Sequence, residues 1–159
     1  MIVYHGSVLT IGKPSVRFSK RFLDFGSGFY VTEDQKQAEN WAKRKAVRQK
    51  SKPIVSFYSL SDDLSAYKGL VFASEDVAWL DFVAKCRKGG EIYEGYDYIS
   101  GSVANDDVFA TVDMYVRGIW DSKRALSEIK YYKTSHQICL ISQELIDNEM
   151  VFTDSYEVK

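Results

Sequence analysis

The chain has 159 residues, within the range of a single domain, and its 45% hydrophobic and 27% charged composition excludes the disordered and fibrous classes. Lys and Arg number 21 against 22 Asp and Glu, giving a formal net charge of -1, so no global field draws the chain onto polyanions. Two cysteines, Cys86 and Cys139, allow at most one bridge in a chain long enough to fold without it. Free core thiols in a reducing compartment are expected. The N-terminus lacks a basic region leading into an apolar core, and no apolar run approaches about 18 residues. A cytoplasmic location without membrane association is therefore expected.

In chain order, the first strand is expected at Ile2 to His5, stopped by Gly6 and Ser7. A polar loop leads to DFGSGFYVT, with a short strand over Phe29 to Val31. Thr32 and Gln35 have capping-box spacing and predict a helix beginning there. Ala38, Trp41, Ala42 and Ala46 fall on one face of that helix, and KRKAVRQK sets cations near its carboxyl end. Ile54 to Leu60 reads as a strand. Ser74 is expected to cap a second helix with Val77, Ala78, Phe82 and Cys86 inward, followed by Gly89 and Gly90. Glu91 to Ile99 is strand-like, interrupted at Gly95. Asn105 or Asp106 caps a third helix through Val108, Val112 and Tyr115, ended by Gly118, and Asp121 starts another with Ala125, Leu126 and Ile129 inward. The apolar run His136 to Ser142 suits a central strand, and a polar tail follows. No repeat or linker divides residues 1–159, and strands interspersed with helices without βαβ periodicity argue one α+β domain.

The local chemistry singles out a few positions. A histidine ending an apolar strand, with glycine next, can aim an imidazole into a cleft while the glycine exposes its backbone; a satisfied turn residue has the same local signature. The glycines of GSGFYVT fit neither the dinucleotide fingerprint nor the Walker pattern. Tyr30 and Trp41 are flat rings able to stack on a planar group, or to fill a core. Asp106 and Asp107 satisfy a helix start without any catalytic role. The scattered His and Cys positions argue against a zinc site, and no GxSxG elbow is present. The basic run from Lys43 to Lys52 is readable as a solvated helix face or as a patch for RNA or a protein partner.

Together these islands resemble the ADP-ribosyltransferase superfamily, in the His-Tyr-Glu branch that includes poly-ADP-ribose polymerases and diphtheria-type toxins, and more closely a bacterial family of short members. YHGS (Tyr4 to Ser7), FGSGFYVT (Phe25 to Thr32) and AENW (Ala38 to Trp41) carry the resemblance, and HQICLIS agrees in place with the strand holding the third catalytic residue. It implies split antiparallel β-sheets flanked by the helices of residues 32 to 50 and 74 to 88, with His5, Tyr30 and Gln137 converging on one cleft. It implies NAD as a consumed co-substrate, with no metal: His5 on the adenosine ribose, Gly6 and Ser7 on the nicotinamide carboxamide, and Tyr30 and Trp41 around the nicotinamide ring. Gln137 stands where the family has glutamate, and an amide accepts a hydrogen bond but does not take a proton from an acceptor. Three resolutions stay open: an intrinsically nucleophilic acceptor, a second carboxylate such as Asp106 or, preferably, Asp107 as catalytic base, or binding without transfer. The implied activity is mono-ADP-ribosylation of a macromolecule, protein or nucleic acid, in a toxin-antitoxin or phage-defence setting with an antitoxin protein as partner. An NAD glycohydrolase and a non-catalytic NAD or ADP-ribose binding module are the alternatives.

Overall fold

A computed structural model describes residues 1–19, 23–132 and 134–159, and the Asp106 side chain lies outside the described parts. The chain is α+β. Strand β1 (Ile2–Ser7) pairs antiparallel with β3 (Ile54–Leu60), which pairs with β7 (Met150–Glu157) to complete a three-stranded sheet. The second sheet has the order β2 (Phe29–Val31), β6 (His136–Leu140), β5 (Tyr98–Ser102), β4 (Gly69–Val71). Its β2–β6 and β6–β5 pairs are antiparallel, whereas β4 joins β5 in parallel. The expected pair of purely antiparallel sheets is corrected at that edge.

The helices are α1 (Gln35–Gln49), α2 (Val77–Arg87), α3 (Asp106–Val116), α4 (Ser122–Ile129) and α5 (Gln143–Glu149). Cap chemistry shifts several of the expected starts. Thr32 is not the N-cap of α1: its hydroxyl donates to the His136 carbonyl at 2.6 Å, and Asp34 accepts from the Gln37 N–H instead. Asp76, not Ser74, caps α2, and that helix buries Trp79, Leu80, Val83 and Cys86 while Val77 and Ala78 are exposed. The expected stripe shared only Phe82 and Cys86 with the inward face because Trp79 and Leu80, one turn before Val83, supply more apolar area than Val77 and Ala78. Asn105 caps α3 by accepting from the Val108 N–H at 3.1 Å. Residues 92–95 form a 3-10 turn, so the strand expected from Glu91 begins at Tyr98. The polar tail is α5 and the edge strand β7, most of whose positions are exposed or only partly covered. Cys86 and Cys139 are free, buried thiols.

From Ile138 to Leu140 strand β6 is apolar, because both its faces are covered there. Ile138 and Leu140 enter a core with Val3, Phe29, Tyr58 and Leu145, and Cys139 enters another with Phe25, Trp79, Val108 and Ile99. Ala38 and Ala42 of α1 pack on Val55, their small side chains letting the helix lie close to the first sheet. The two sheets meet at a bridge between Tyr4 and Thr32, each bonding the other through backbone N–H and C=O at 2.8 and 3.0 Å. Past this bridge they diverge, and the site lies in the opening.

Candidate functional site

Antiparallel geometry fixes what the opening presents. Successive residues of a strand direct their backbone groups to alternate edges. Tyr4 uses its N–H and C=O toward Thr32, so Gly6, two residues on in the same ladder, turns its own N–H and C=O toward the opening. Lys45 of α1 reaches the Gly6 carbonyl at 3.1 Å. Gly6 is also required by packing: a Cβ there would fall on the Ala38 carbonyl, 2.7 Å from the Ala42 nitrogen and 3.0 Å from Trp41 Cβ. The same glycine thus seats α1 and exposes a main-chain edge.

His5 spans the split. Its Nδ1 lies 2.6 Å from the Tyr30 carbonyl, and its ring stacks on Phe29 with centroids 4.2 Å apart. Because a carbonyl only accepts, Nδ1 carries the hydrogen and Nε2 is left as an acceptor. Burial, reinforced by the charge of Lys45, lowers the His5 pKa from its ordinary 6.5 to about 3. The imidazole is neutral at neutral pH.

Tyr30 is tied to the glycine loop, donating to the Gly26 carbonyl at 2.7 Å and accepting from the Phe25 N–H at 2.9 Å. Burial first, then neighbouring Cys139 and Asp24, raises its pKa well above the ordinary 10, so the phenol stays protonated. The loop itself is built for close packing. Gly26 has φ +79, and a Cβ there would overlap the Tyr93 ring.

Gln137 is 3% exposed and donates through Nε2 to Asp24 Oδ2 at 2.9 Å. The same oxygen accepts from the Ala104 N–H at 2.9 Å, and Asp24 Oδ1 pairs with Arg87 at the end of α2. Arg87 also lies over the Phe109 ring, 4.2 Å from its centroid.

These groups line one cleft of about 800 Å³, within the range of roughly 300 to 1,000 Å³ typical of small-molecule sites. It brings together His5, Gly6, Ser7, Tyr30, Trp41 and Gln137 from the expected set. Asp107 is the exception: it is exposed on the first turn of α3 and is not among the lining residues, because the turn after Asn105 carries it outward. The role expected of the Asp106 carboxylate lies outside the described residues. Lys13, Arg44, Lys45, Arg48 and Arg87 line the cleft against the carboxylate of Asp24, the single acidic lining group among the described residues, so its field favours an anionic ligand.

Sequence reasoning missed Asp24, Arg87 and Lys45. Asp24 opens the quoted DFGSGFYVT segment, but its partners Arg87 and Gln137 are 63 and 113 residues away and leave no local pattern. Lys45 was legible only as one of a basic run. Among the described residues no cluster of three His, Cys, Asp or Glu could hold a metal ion, and no helix is long and apolar enough to cross a membrane.

No curated protein and no solved structure is significantly similar to the chain. A family profile described as protein of unknown function (DUF3990) matches residues 1–152, and the chain belongs to that family.

Proposed function

We propose that the protein is an NAD-dependent mono-ADP-ribosyltransferase acting on a macromolecular acceptor. The observation that carries this reading is the convergence of His5, the Gly6 main-chain edge, Tyr30, Trp41 and Gln137 on one cation-rich cleft. Each group suits a different part of a dinucleotide. A carboxamide has one acceptor and one donor, and a strand edge offers the complementary N–H and C=O. Neutral His5 keeps Nε2 to accept from a ribose hydroxyl, and Trp41, which lines the same cleft, offers a planar ring. Lys13, Arg44 and Arg48 suit the diphosphate by charge.

The chemistry follows from this placement. The bond from ribose to nicotinamide breaks with its electron pair leaving on nicotinamide, positive charge develops on the ribose, and a lone pair of the acceptor forms the new bond. The protein contributes position and electrostatic stabilisation. Asp24 has both oxygens engaged, and the polar side chains of the expected set that line the cleft are neutral, so an acceptor nucleophilic without a strong base fits this cleft best. A toxin restrained by an antitoxin protein is the setting we propose, since unchecked NAD consumption harms the cell that makes it.

The test is to incubate the pure protein with NAD labelled on the adenine side, with and without bacterial lysate, following nicotinamide release and macromolecular label. Label appearing only with lysate is the expected result. Release without lysate makes the protein a glycohydrolase, and NAD affinity with neither makes it a binding module. Absence of NAD affinity would sink all three.

A further inference from the structure

We infer that Asp24 and Arg87 are positioning residues that lock the Gln137 amide with its oxygen toward the cleft, so that an aspartate outside the expected site sets the polarity of the amide inside it. The inference rests on the transferase reading only for what the cleft holds.

A carboxylate only accepts, so the Gln137 amide must turn its NH2 toward Asp24 and its Oε1 away. Among the described residues Oε1 takes no protein hydrogen bond, and it is not a sealed, unsatisfied atom either, although the residue is 3% exposed. Gln137 lines the cleft, and that is where the free acceptor is directed. Asp24 is held in turn by Arg87 on one oxygen and by the Ala104 N–H on the other. Both Asp24 oxygens are thus engaged, and a carboxylate has no hydrogen to offer the amide oxygen if the amide turned the other way.

The clamp has an electrostatic consequence. A carboxylate bonded to the amide NH2 draws positive charge toward the nitrogen and leaves Oε1 more negative, and hydrogen bonds in series strengthen one another in a water-poor site. The charge that a glutamine lacks is therefore held one hydrogen bond behind it. Gln137 is then the right residue for this cleft: a glutamate would set two carboxylates about 3 Å apart, where one must take a proton.

The experiment compares wild type with Asp24→Asn, Gln137→Glu and the double variant, by urea unfolding and by nicotinamide release in the presence of bacterial lysate. In the double variant the amide introduced at position 24 can donate to the carboxylate introduced at position 137, restoring that bond in the reverse sense and keeping one negative charge near Arg87, while the Ala104 N–H loses its acceptor at that atom. That variant is expected to unfold at higher urea than either single variant and to release nicotinamide faster than either. Asp24→Asn alone is expected to lower kcat about tenfold or more, as misplacement of a reacting group does, with a smaller change in KM. Gln137→Glu is expected to gain activity from pH 8 to 6 where the wild-type profile is flat. Stability effects that simply add, or Asp24→Asn with wild-type kcat, would overturn the inference. If wild type binds no NAD, the transferase reading falls, while the unfolding cycle still tests the clamp.

Discussion

The two walls of the cleft are built differently. One comes from neighbouring pieces of chain: β1 carries His5 and Gly6, and α1 sets Trp41 and Lys45 against them. The other is assembled from Asp24, Arg87, Ala104 and Gln137, four segments spread over 113 residues. The first wall depends on steric fit between a strand and a helix. The second depends on a chain of charge-assisted hydrogen bonds. Steric fit of this kind leaves a short sequence signature, whereas the polar chain exists only after folding.

The first wall breaks most severely at Gly6. Gly6→Ala is expected to lose about 3 kcal/mol or more in urea unfolding, since the added Cβ meets helix backbone that cannot yield without moving α1. A loss under about 1 kcal/mol would mean that the helix seat is soft. The second wall breaks at Arg87. Arg87→Ala leaves Asp24 buried without its cation and is expected to cost about 3 kcal/mol, at the low end for such pairs because Arg87 is 19% exposed. Removing Arg87 and Asp24 together is expected to cost less than removing Arg87 alone, which a double-mutant cycle checks.

Acid tests the junction of the walls through His5. Above pH 6.5 His5 is neutral in both states and makes no pH-dependent contribution. As pH falls below 6.5 the unfolded chain binds a proton that folded His5 refuses until about 3, so stability declines by at most about 1.4 kcal/mol per pH unit in that window. Urea midpoints at pH 7 and pH 5 measure the decline, and His5→Gln is expected to reduce it. The smallest effect belongs to Trp41, which is half-buried on α1. Trp41→Ala is expected to weaken NAD binding about fivefold by calorimetry with the fold retained, the loss of one ring contact of about 1 kcal/mol. Unchanged affinity would return Trp41 to a packing role.

Much of the fold was legible in local pattern. The strands at Ile2, Phe29, Ile54 and His136 announced themselves as short apolar runs, and α3 and α4 through an Asn or Asp cap and a helical stripe. The capping errors share one cause. Thr32 and Ser74 have the residue type of a cap, but Asp34 and Asp76 lie closer to the first helical turn, and Thr32 is drawn to the His136 carbonyl 104 residues away. Strands β4 and β7 were missed because most of their residues are exposed or only partly covered, which removes the apolar run that marks a buried strand.

By itself the sequence determined the α+β class, the free core thiols, the alanine stripe of α1 and the three islands that hold His5, Gly6, Tyr30 and Trp41, because each depends on spacing within a few turns or strand steps. Tertiary structure alone decided that β1 and β2 part beyond Tyr4 and Thr32, that Asp107 faces outward, and that Asp24 and Arg87 hold Gln137. The physical reason is range: steric and cap preferences act between neighbours in the chain, whereas a buried charge selects its partners only after folding has excluded water from around it.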